Sequence, residues 1–315
     1  VKGYISGGTI SNTKGLVEVI INSLIENGVK NKEISLIFPN NSLQYELKQV
    51  PIMSQKEMKE FAKLELQNVF SKHTELTHVF DYAVLGDVIG EDDAYSVLGL
   101  FSLPKITMQS LIKEFEEYKY KITDIDTKIS SLMYLAKISA GHDVFNKIYL
   151  NIGDYNTLLL LVYNGVTIYE RNINKGLKDL TADFKKKVDI PYNIIHDVLN
   201  RIGVVRDIDM SGELMLDELG LSDEEYFEIV SWALGPFTQD IYRSMEHVWH
   251  NLRVDVNDIV LTGGVTDVKG IDKYLEEMFK SEDRDLNVEN WEFVTNINYG
   301  NIYINNDSDK SLGGE

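Results

Sequence analysis

The chain has 315 residues, of which 43% are hydrophobic and 26% are charged, and it contains no cysteine. This composition supports a folded protein of about two domains and excludes disulfides, iron–sulfur clusters and a cysteine nucleophile. The 50 acidic and 31 basic residues give a formal charge of −19, which disfavours binding to nucleic acid or to an anionic membrane.

No segment predicts a membrane span. The longest run of apolar residues, Leu158 to Tyr163, is much shorter than the ~20 residues that cross a bilayer. The start of the chain shows none of the features of a signal peptide. We therefore expect a cytoplasmic protein that would reach a membrane only through a partner.

The first half of the chain predicts alternating helices and strands. Apolar residues recur at helical spacing over Leu16–Glu26, and Gly28 is suited to end that helix. A short apolar strand, Ile34–Phe38, stops before a proline. The pattern Ser54-x-x-Glu57 is typical of a capping box and predicts the start of another helix. Further along we expect a strand and two helices, over Ala94–Leu103, Thr107–Tyr118 and Ile129–Ile138.

The second half predicts a hairpin, a helical region and a further strand and helix. The hairpin turn is Asn164-Gly165, a pair that tolerates positive φ. The predicted elements are strands over Ile148–Ile152, Leu158–Tyr163 and Val166–Arg171, a mainly helical region over Leu177–Met245, a strand over Ile259–Thr262, a helix over Ile271–Phe279, and strand-like fragments at Trp291–Val294 and Ile302–Ile304. Together they indicate an α/β protein with mixed sheets.

A loop at the end of one predicted strand is a candidate phosphate site. It carries Asn151, Gly153, Asp154, Asn156 and Thr157. Glycine at a strand end lets the backbone turn tightly, and successive amides in such a turn can hold an anion. The threonine could add a hydroxyl. An ordinary hairpin turn uses the same residue types, so that explanation stays open.

The second candidate is the glycine pair Gly263-Gly264, which separates a buried strand from a helical pattern. Such a pair permits close approach of a flat ligand or a phosphate to the start of a helix. A plain turn with a packing glycine is the competing explanation. The sequence contains neither G-x-G-x-x-G nor G-x-x-x-x-G-K-[ST], so the two commonest nucleotide motifs are absent.

The two loops, in this order, resemble a pair in the actin-like ATPase superfamily. The segment Asn151–Gly176 resembles its phosphate-2 segment, and the Gly263-Gly264 loop resembles its adenosine loop. Further segments resemble PilM, the actin-like protein of type IV pilus assembly: Ser54–Leu66, Phe80–Gly86, Ile125–Thr127 and Phe237–Ser244. FtsA, a cell-division relative with the same architecture, is the family most easily confused with it.

The resemblance implies an α/β protein with the actin-like ATPase fold, in which nucleotide binds between two lobes of the ribonuclease-H-like type. It assigns residues 1–50 and 121–146 to the core of the first lobe, 51–120 to an inserted subdomain of the PilM/FtsA type, 147–190 and 256–290 to the core of the second lobe, 191–255 to its helical subdomain, and 291–315 to a tail. The family's first phosphate loop would precede residue 1, and its closing helix would follow residue 315. We therefore expect the chain to be part of a longer protein.

The resemblance also implies ATP with magnesium as the cofactor, but charged positions differ. Asn151 stands where the family has an aspartate that positions magnesium, although Asp154 could replace it. Asp197 and Asn200 stand where a Glu-x-x-Lys pair contacts the adenosine. The glycine-bearing shell is kept, at Gly153, Gly176, Gly263 and Gly264. Phosphoryl transfer depends on placed charge and metal, so we expect nucleotide binding that is weak, or that lacks efficient hydrolysis.

The resemblance predicts a cytoplasmic scaffold at the inner face of the cytoplasmic membrane. It would bind the tail of a PilN-like inner-membrane protein, other components of the pilus motor and, as a further possibility, a second copy of itself. Nucleic acid and direct membrane insertion are not expected. Leu132, Met133 and Leu135 are guesses for the partner groove, and core packing is the stronger explanation for them.

Two alternatives stay open. An active ATPase or a sugar-kinase-like phosphotransferase would need an acidic residue in the role of Asn151. An FtsA-like filament protein would need an amphipathic membrane helix after the last residue. Glu246, His247 and His250 share a predicted helix but lack the H-E-x-x-H order, so we predict neither a metal site nor a catalytic residue.

Overall fold

The computed structural model describes residues 3–6, 9–38, 43–89, 94–140, 145–206, 210–252, 254–280 and 286–291. The chain divides into two compact units. The first comprises residues 1–143 and 166–168, and the second comprises residues 144–165 and 169–315.

The elements of the first unit are β1 (Ile5–Ser6), β2 (Thr9–Ile10), α1 (Thr13–Glu26), β3 (Glu33–Phe38), β4 (Gln44–Pro51), α2 (Gln55–Val69), β5 (His78–Ile89), β6 (Ala94–Pro104), α3 (Lys105–Glu117), β7 (Lys121–Thr127) and α4 (Lys128–Ala140). Those of the second unit are β8 (Lys147–Ile152), β9 (Thr157–Tyr163), β10 (Val166–Ile173), α5 (Leu177–Lys185), α6 (Tyr192–Arg201), α7 (Met210–Leu219), α8 (Asp223–Asn251), β11 (Asp258–Thr262), a 3₁₀ turn (Gly264–Asp267), α9 (Ile271–Phe279) and β12 (Asn287–Asn290). The first three residues of β10 group with the first unit.

One core of the first unit lies around the parallel pair of strands β3 and β7. Val17 and Ile21 of α1 pack there with Leu111 and Phe115 of α3. The N-cap of α1 is Asn12, whose side chain accepts a hydrogen bond from an amide in the first turn. The helix thus lies where its apolar spacing predicted it.

A second core of the first unit lies between α2 and the antiparallel sheet β4-β6-β5. Met58, Ala62 and Leu66 of the helix face Leu98 and Leu100 of the central strand β6. The capping box that the sequence predicted for α2 is formed. Strand β5 was not predicted, because its mixture of aspartate, glycine and apolar residues gives no clean alternation.

These contacts cross both boundaries of the predicted insertion, 51–120. Strand β4 pairs with β6 along its whole length, from residue 44 onward. Helix α3 packs on α1, in the other core. The predicted boundaries therefore separate elements that pair or pack with each other in the first unit.

The second unit is built on a mixed five-stranded sheet with the order β10-β9-β8-β11-β12. Strands β8 and β9 are antiparallel, whereas β11 runs parallel to both β8 and β12. Asn164 and Gly165, in the hairpin turn, have φ values of 52° and 73°, as the sequence predicted. Strand β12 was missed because its sequence, Asn-Val-Glu-Asn, has one buried apolar residue. The predicted fragments at 291–294 and 302–304 lie, except for Trp291, outside the described residues.

The helices of the second unit confirm the predicted helical region. Two details differ from the prediction: the end of α8, and the type of helix that follows Gly263. Helix α8 has 29 residues and ends at Asn251 rather than near Met245. The pair Gly263-Gly264 does not lead directly into an α-helix. It opens a four-residue 3₁₀ turn, and α9 begins only after Gly270, which has left-handed backbone (φ 76°).

Candidate functional site

The two candidate loops begin at the same edge of the five-stranded sheet of the second unit. Strands β8 and β11 are parallel neighbours, and Asn151 lies opposite Thr262 in their register. The carboxyl ends of parallel strands form one edge, where ligands commonly bind in α/β sheets. The sequence placed the two loops far apart along the chain, and the sheet places them side by side.

Gly263 allows the backbones of these loops to touch. Its φ is 88°, and a Cβ at this position would lie 2.6 Å from the carbonyl oxygen of Ile152 and 3.3 Å from the Nδ2 atom of Asn151. Since any side chain would collide with backbone here, only glycine fits without movement. At Gly264, by contrast, a Cβ would meet the tip of one flexible side chain, Leu177, at 3.1 Å.

The start of α5 is the third part of this cluster. The amides of Leu177 and Lys178 donate to the carbonyl oxygens of Gly153 and Asp154, both at 3.0 Å. A Cβ at Gly176 would lie 2.4 Å from the carbonyl oxygen of Gly153. We call residues 151–154, 176–178 and 263–264 the loop cluster. It contains six of the predicted site residues: Asn151, Gly153, Asp154, Gly176, Gly263 and Gly264.

Thr157 and Asn156 serve the hairpin instead. The Thr157 hydroxyl is fully buried and donates to the carbonyl oxygen of Lys175 at 2.9 Å. The Asn156 side chain donates to the Oδ1 atom of Asn172 at 3.1 Å, and its carbonyl oxygen accepts from the amide of Gly153. The Thr157 hydroxyl is therefore engaged inside the turn, and its expected contact with a phosphate stays a prediction.

Asn151, near the end of β8, carries no charge. The residue is 8% exposed, and its neutral amide lies beside Gly263. A carboxamide can accept or donate a hydrogen bond, but it brings no negative charge to attract a divalent cation.

Asp154 is paired within the loop cluster. Its Oδ2 atom lies 3.4 Å from Nζ of Lys178, and that ammonium lies 3.5 Å from the centre of the Tyr155 ring. Burial alone would lower the pKa of Lys178, but the hydrogen bond to Tyr155 and the Asp154 carboxylate outweigh burial and raise it. The lysine is therefore a fixed positive charge at neutral pH. Sequence reasoning missed it, although its place two residues after Gly176 was a usable signal.

Lys175, which directly precedes the loop cluster at Gly176, is a second lysine that sequence reasoning missed, and it contacts α8. Nζ of Lys175 lies 2.6 Å from Oδ2 of Asp240 and donates to the carbonyl oxygen of Pro236 at 3.1 Å. Asp240 also pairs with Arg243 at 3.6 Å. Asp240 and Arg243 belong to the segment Phe237–Ser244 that carries the resemblance to PilM, so that segment supports the loop that precedes Gly176.

Asp197 and Asn200, the expected adenosine contacts, hydrogen-bond within α6. The Asp197 carboxylate accepts from Nε of Arg201 at 3.0 Å. The Asn200 side chain pairs with Nδ1 of His196 at 3.1 Å, and its buried Oδ1 atom has no partner among the described residues. The chain just after α6 reaches the second loop, since the amide of Val204 donates to the carbonyl oxygen of Lys269 at 3.0 Å.

The loop cluster does not fit a magnesium ion through Asn151 or Asp154, because the first is neutral and the second is paired. Of the nearby carboxylates, Asp154 is paired with Lys178, and Asp179 accepts a hydrogen bond from the amide of Gly176 at 2.9 Å. Magnesium needs carboxylate or other oxygen ligands that are free to coordinate it.

The other predicted positions lie apart from the loop cluster in sequence. Leu132 and Met133 are buried, as core packing requires, and Leu135 is half-buried. Glu246, His247 and His250 lie on α8, where the His247 ring pairs with Asn251 and Tyr169. Across the part of the chain that the structure describes, no group of three His, Asp or Glu residues could hold a metal ion.

The chain has the actin-like ATPase fold. No protein-family profile and no curated protein matches the sequence. Among solved structures, the PilM–PilN type IV pilus biogenesis complex matches with a TM-score of 0.68 and 17% identity, over 92% of this chain and 78% of the other. MreB5 of Spiroplasma citri bound to ADP matches with a TM-score of 0.53 and 15% identity, over 92% of this chain and 74% of that one. The resemblance to PilM that the sequence motifs indicated is thereby confirmed as a likeness of fold.

Proposed function

We propose that this chain is a scaffold of a type IV pilus assembly machine that binds the cytoplasmic tail of a PilN-like inner-membrane protein. The observation that carries the proposal is the match to the PilM–PilN complex, which extends over 92% of the chain. Sequence segments in both units resemble PilM, so the likeness is not confined to one common core. Fold alone would not decide function, and the ordered motifs add to it.

The partner would hold the protein at the inner face of the cytoplasmic membrane. Within the described residues, no helix is long and apolar enough to cross a bilayer. The formal charge of −19 favours a partner segment that carries basic residues. Other pilus motor components and a second copy of the chain are further proposed partners.

We further propose that the loop cluster binds a nucleotide without hydrolysing it efficiently. The meeting of the two loops at one sheet edge supports binding, and MreB5, a protein of similar fold, is bound to ADP. The neutral Asn151 at the end of β8 supports the loss of hydrolysis, because charge stabilisation is central to phosphoryl transfer. The same residue disfavours the alternatives of an active ATPase or phosphotransferase.

We also propose that residues 44–104 are the inserted subdomain of the first unit. Strands β4, β6 and β5 share a core with α2, and the end of β6, at Leu103, also packs with α3 in the other core. This division moves both boundaries of the sequence-based one, 51–120.

Membrane fractionation tests the scaffold proposal. The full-length protein is co-expressed with the full-length PilN-like protein of the same genome, and its share in the membrane fraction is measured. We expect the protein to move to the membrane fraction with the intact partner. With a partner that lacks its cytoplasmic tail, it should stay in the supernatant.

Two results would contradict the proposal. One is a membrane fraction that does not respond to the partner at all. The other is recruitment that is equally strong without the tail, which would place the contact elsewhere on the partner.

A further inference from the structure

The loop cluster carries a positive charge of its own, the ammonium group of Lys178. The segments that meet there, with the helix and turn that continue them, carry four carboxylates: Asp154, Asp179, Asp183 and Asp267. Asp183 pairs with Lys186 near the end of the helix. Asp154 faces the ammonium of Lys178 at 3.4 Å, and Asp179 is bound to the amide of Gly176. Asp267 lies exposed, at the end of the 3₁₀ turn.

Lys178 is held in place from both of its ends. Its backbone amide donates to the carbonyl oxygen of Asp154 at 3.0 Å. Its ammonium lies beside the carboxylate of the same aspartate and 3.5 Å from the centre of the Tyr155 ring. A cation over an aromatic face is attracted by the ring quadrupole, so the ring and the carboxylate hold the charge in the same position.

We propose that the loop cluster binds nucleotide without a divalent cation, with the Lys178 ammonium as the fixed counter-charge to the phosphates. This inference rests on the proposed nucleotide-binding role of the loop cluster. An ammonium offers three hydrogen-bond donors and a compact positive charge, which suits phosphate oxygens. The Lys178 ammonium also pairs with the Asp154 carboxylate, which is the group that could replace the charge missing at Asn151.

The test is calorimetric titration of the full-length protein with ATP, once with magnesium and once with EDTA. We expect dissociation constants that agree within about twofold, because Asn151 is neutral and Asp154 is paired with Lys178, so neither offers magnesium a free carboxylate. Loss of binding in EDTA would overturn the inference. Absence of binding in both buffers would overturn it as well.

Two lysine variants identify the source of the charge. Lys178→Met keeps the length of the side chain, and it should weaken ATP binding in EDTA at least about tenfold, as expected for a lost charged hydrogen bond. Lys185→Met is the matched control, since Lys185 is exposed at the far end of the same helix. It should bind ATP as the unaltered protein does. Circular dichroism checks that both variants are folded.

Magnesium dependence adds a second readout. In the Lys178→Met variant, Asp154 is released to bind a cation, so magnesium should restore part of the lost affinity. Unchanged ATP affinity in this variant would overturn the role of Lys178. Partner recruitment to the membrane is measured on the same proteins, so a failure of nucleotide binding can be distinguished from a failure of the scaffold proposal.

Discussion

The loop cluster of the second unit and the α2 region of the first unit are ordered in different ways. In the loop cluster, backbone atoms of separate segments touch at Gly176 and Gly263. In the α2 region, apolar side chains of the helix fill the space over Leu98 and Leu100 of the sheet. Close contact between backbone atoms fixes the structure of the loop cluster, and packing of apolar side chains fixes the structure of the α2 region.

This difference predicts opposite sensitivities. The loop cluster cannot accept even one added methyl group at Gly176 or Gly263, because the colliding atoms are backbone and cannot move aside. The α2 region is sensitive to lost methyl groups, because each one leaves a cavity. Free energies of unfolding, measured by denaturant titration, can test both sides of the comparison.

The largest effect is expected for Gly263→Ala. A side chain there meets both a backbone conformation reserved for glycine and the carbonyl of Ile152, so we expect a loss of about 4 kcal/mol in the free energy of unfolding. Gly220→Ala is the control, since Gly220 also has positive φ (68°) but lies in open space. It should cost about 1 kcal/mol. Equal costs for the two variants would mean that the loops do not touch.

The next effect is expected for Leu100→Ala, in the α2 region. Leu100 is fully buried against the helix, and its truncation should lower the free energy of unfolding by about 3 kcal/mol. Leu76→Ala serves as the control, because Leu76 is 87% exposed, and it should change the free energy by less than about 0.5 kcal/mol. A small cost for Leu100→Ala would mean that α2 does not pack on the sheet.

A smaller effect is expected for the capping boxes, one in each unit. Ser54→Ala removes the cap of α2 and Ser222→Ala removes the cap of α8, and each should cost about 1 kcal/mol. Because both boxes have the same hydrogen bonds, their costs should agree. A large difference between them would show that one helix start is not formed as described.

The caps also predict a pH dependence. Hydrogen bonds from the hydroxyl and amide of Ser54 lower the pKa of Glu57 below its ordinary value. A lowered pKa in the folded state stabilises the protein above the unfolded-state value, and that contribution is lost as the pH falls through the lower folded-state pKa. The effect of Ser54→Ala should therefore be largest near neutral pH and shrink below about pH 4. An effect that grows on acidification would contradict the carboxylate's part in the cap.

Local sequence signals predicted local structure well. Ser54 and Glu57 stand three residues apart, and Asn164 adjoins Gly165, so caps and turns could be read without knowing the fold. Strand β12 could not be predicted in this way, because its pairing with β11 compensates for a polar sequence. Such strands depend on neighbours that are distant along the chain.

The candidate site shows the same division. The glycines could be predicted as site residues because glycine itself is the signal. The reason glycine is required at Gly263, the close approach of the Ile152 backbone, could be seen only once the pairing of the strands was known. The pairing of Lys178 with Asp154 was missed because it depends on how α5 enters the loop. The burial of the Thr157 hydroxyl, which bears on the role predicted for it, could not be seen in the local sequence.

We propose that the loop cluster keeps the backbone of a nucleotide site and lacks the charge that hydrolysis needs. Single-turnover hydrolysis of ATP with excess magnesium tests it most directly, at a protein concentration above the dissociation constant found by titration. We expect bound ATP to stay intact, with no phosphate release above a protein-free control. Release of one phosphate per bound ATP on the time scale of an ordinary ATPase would contradict it and would show that a working catalytic charge exists.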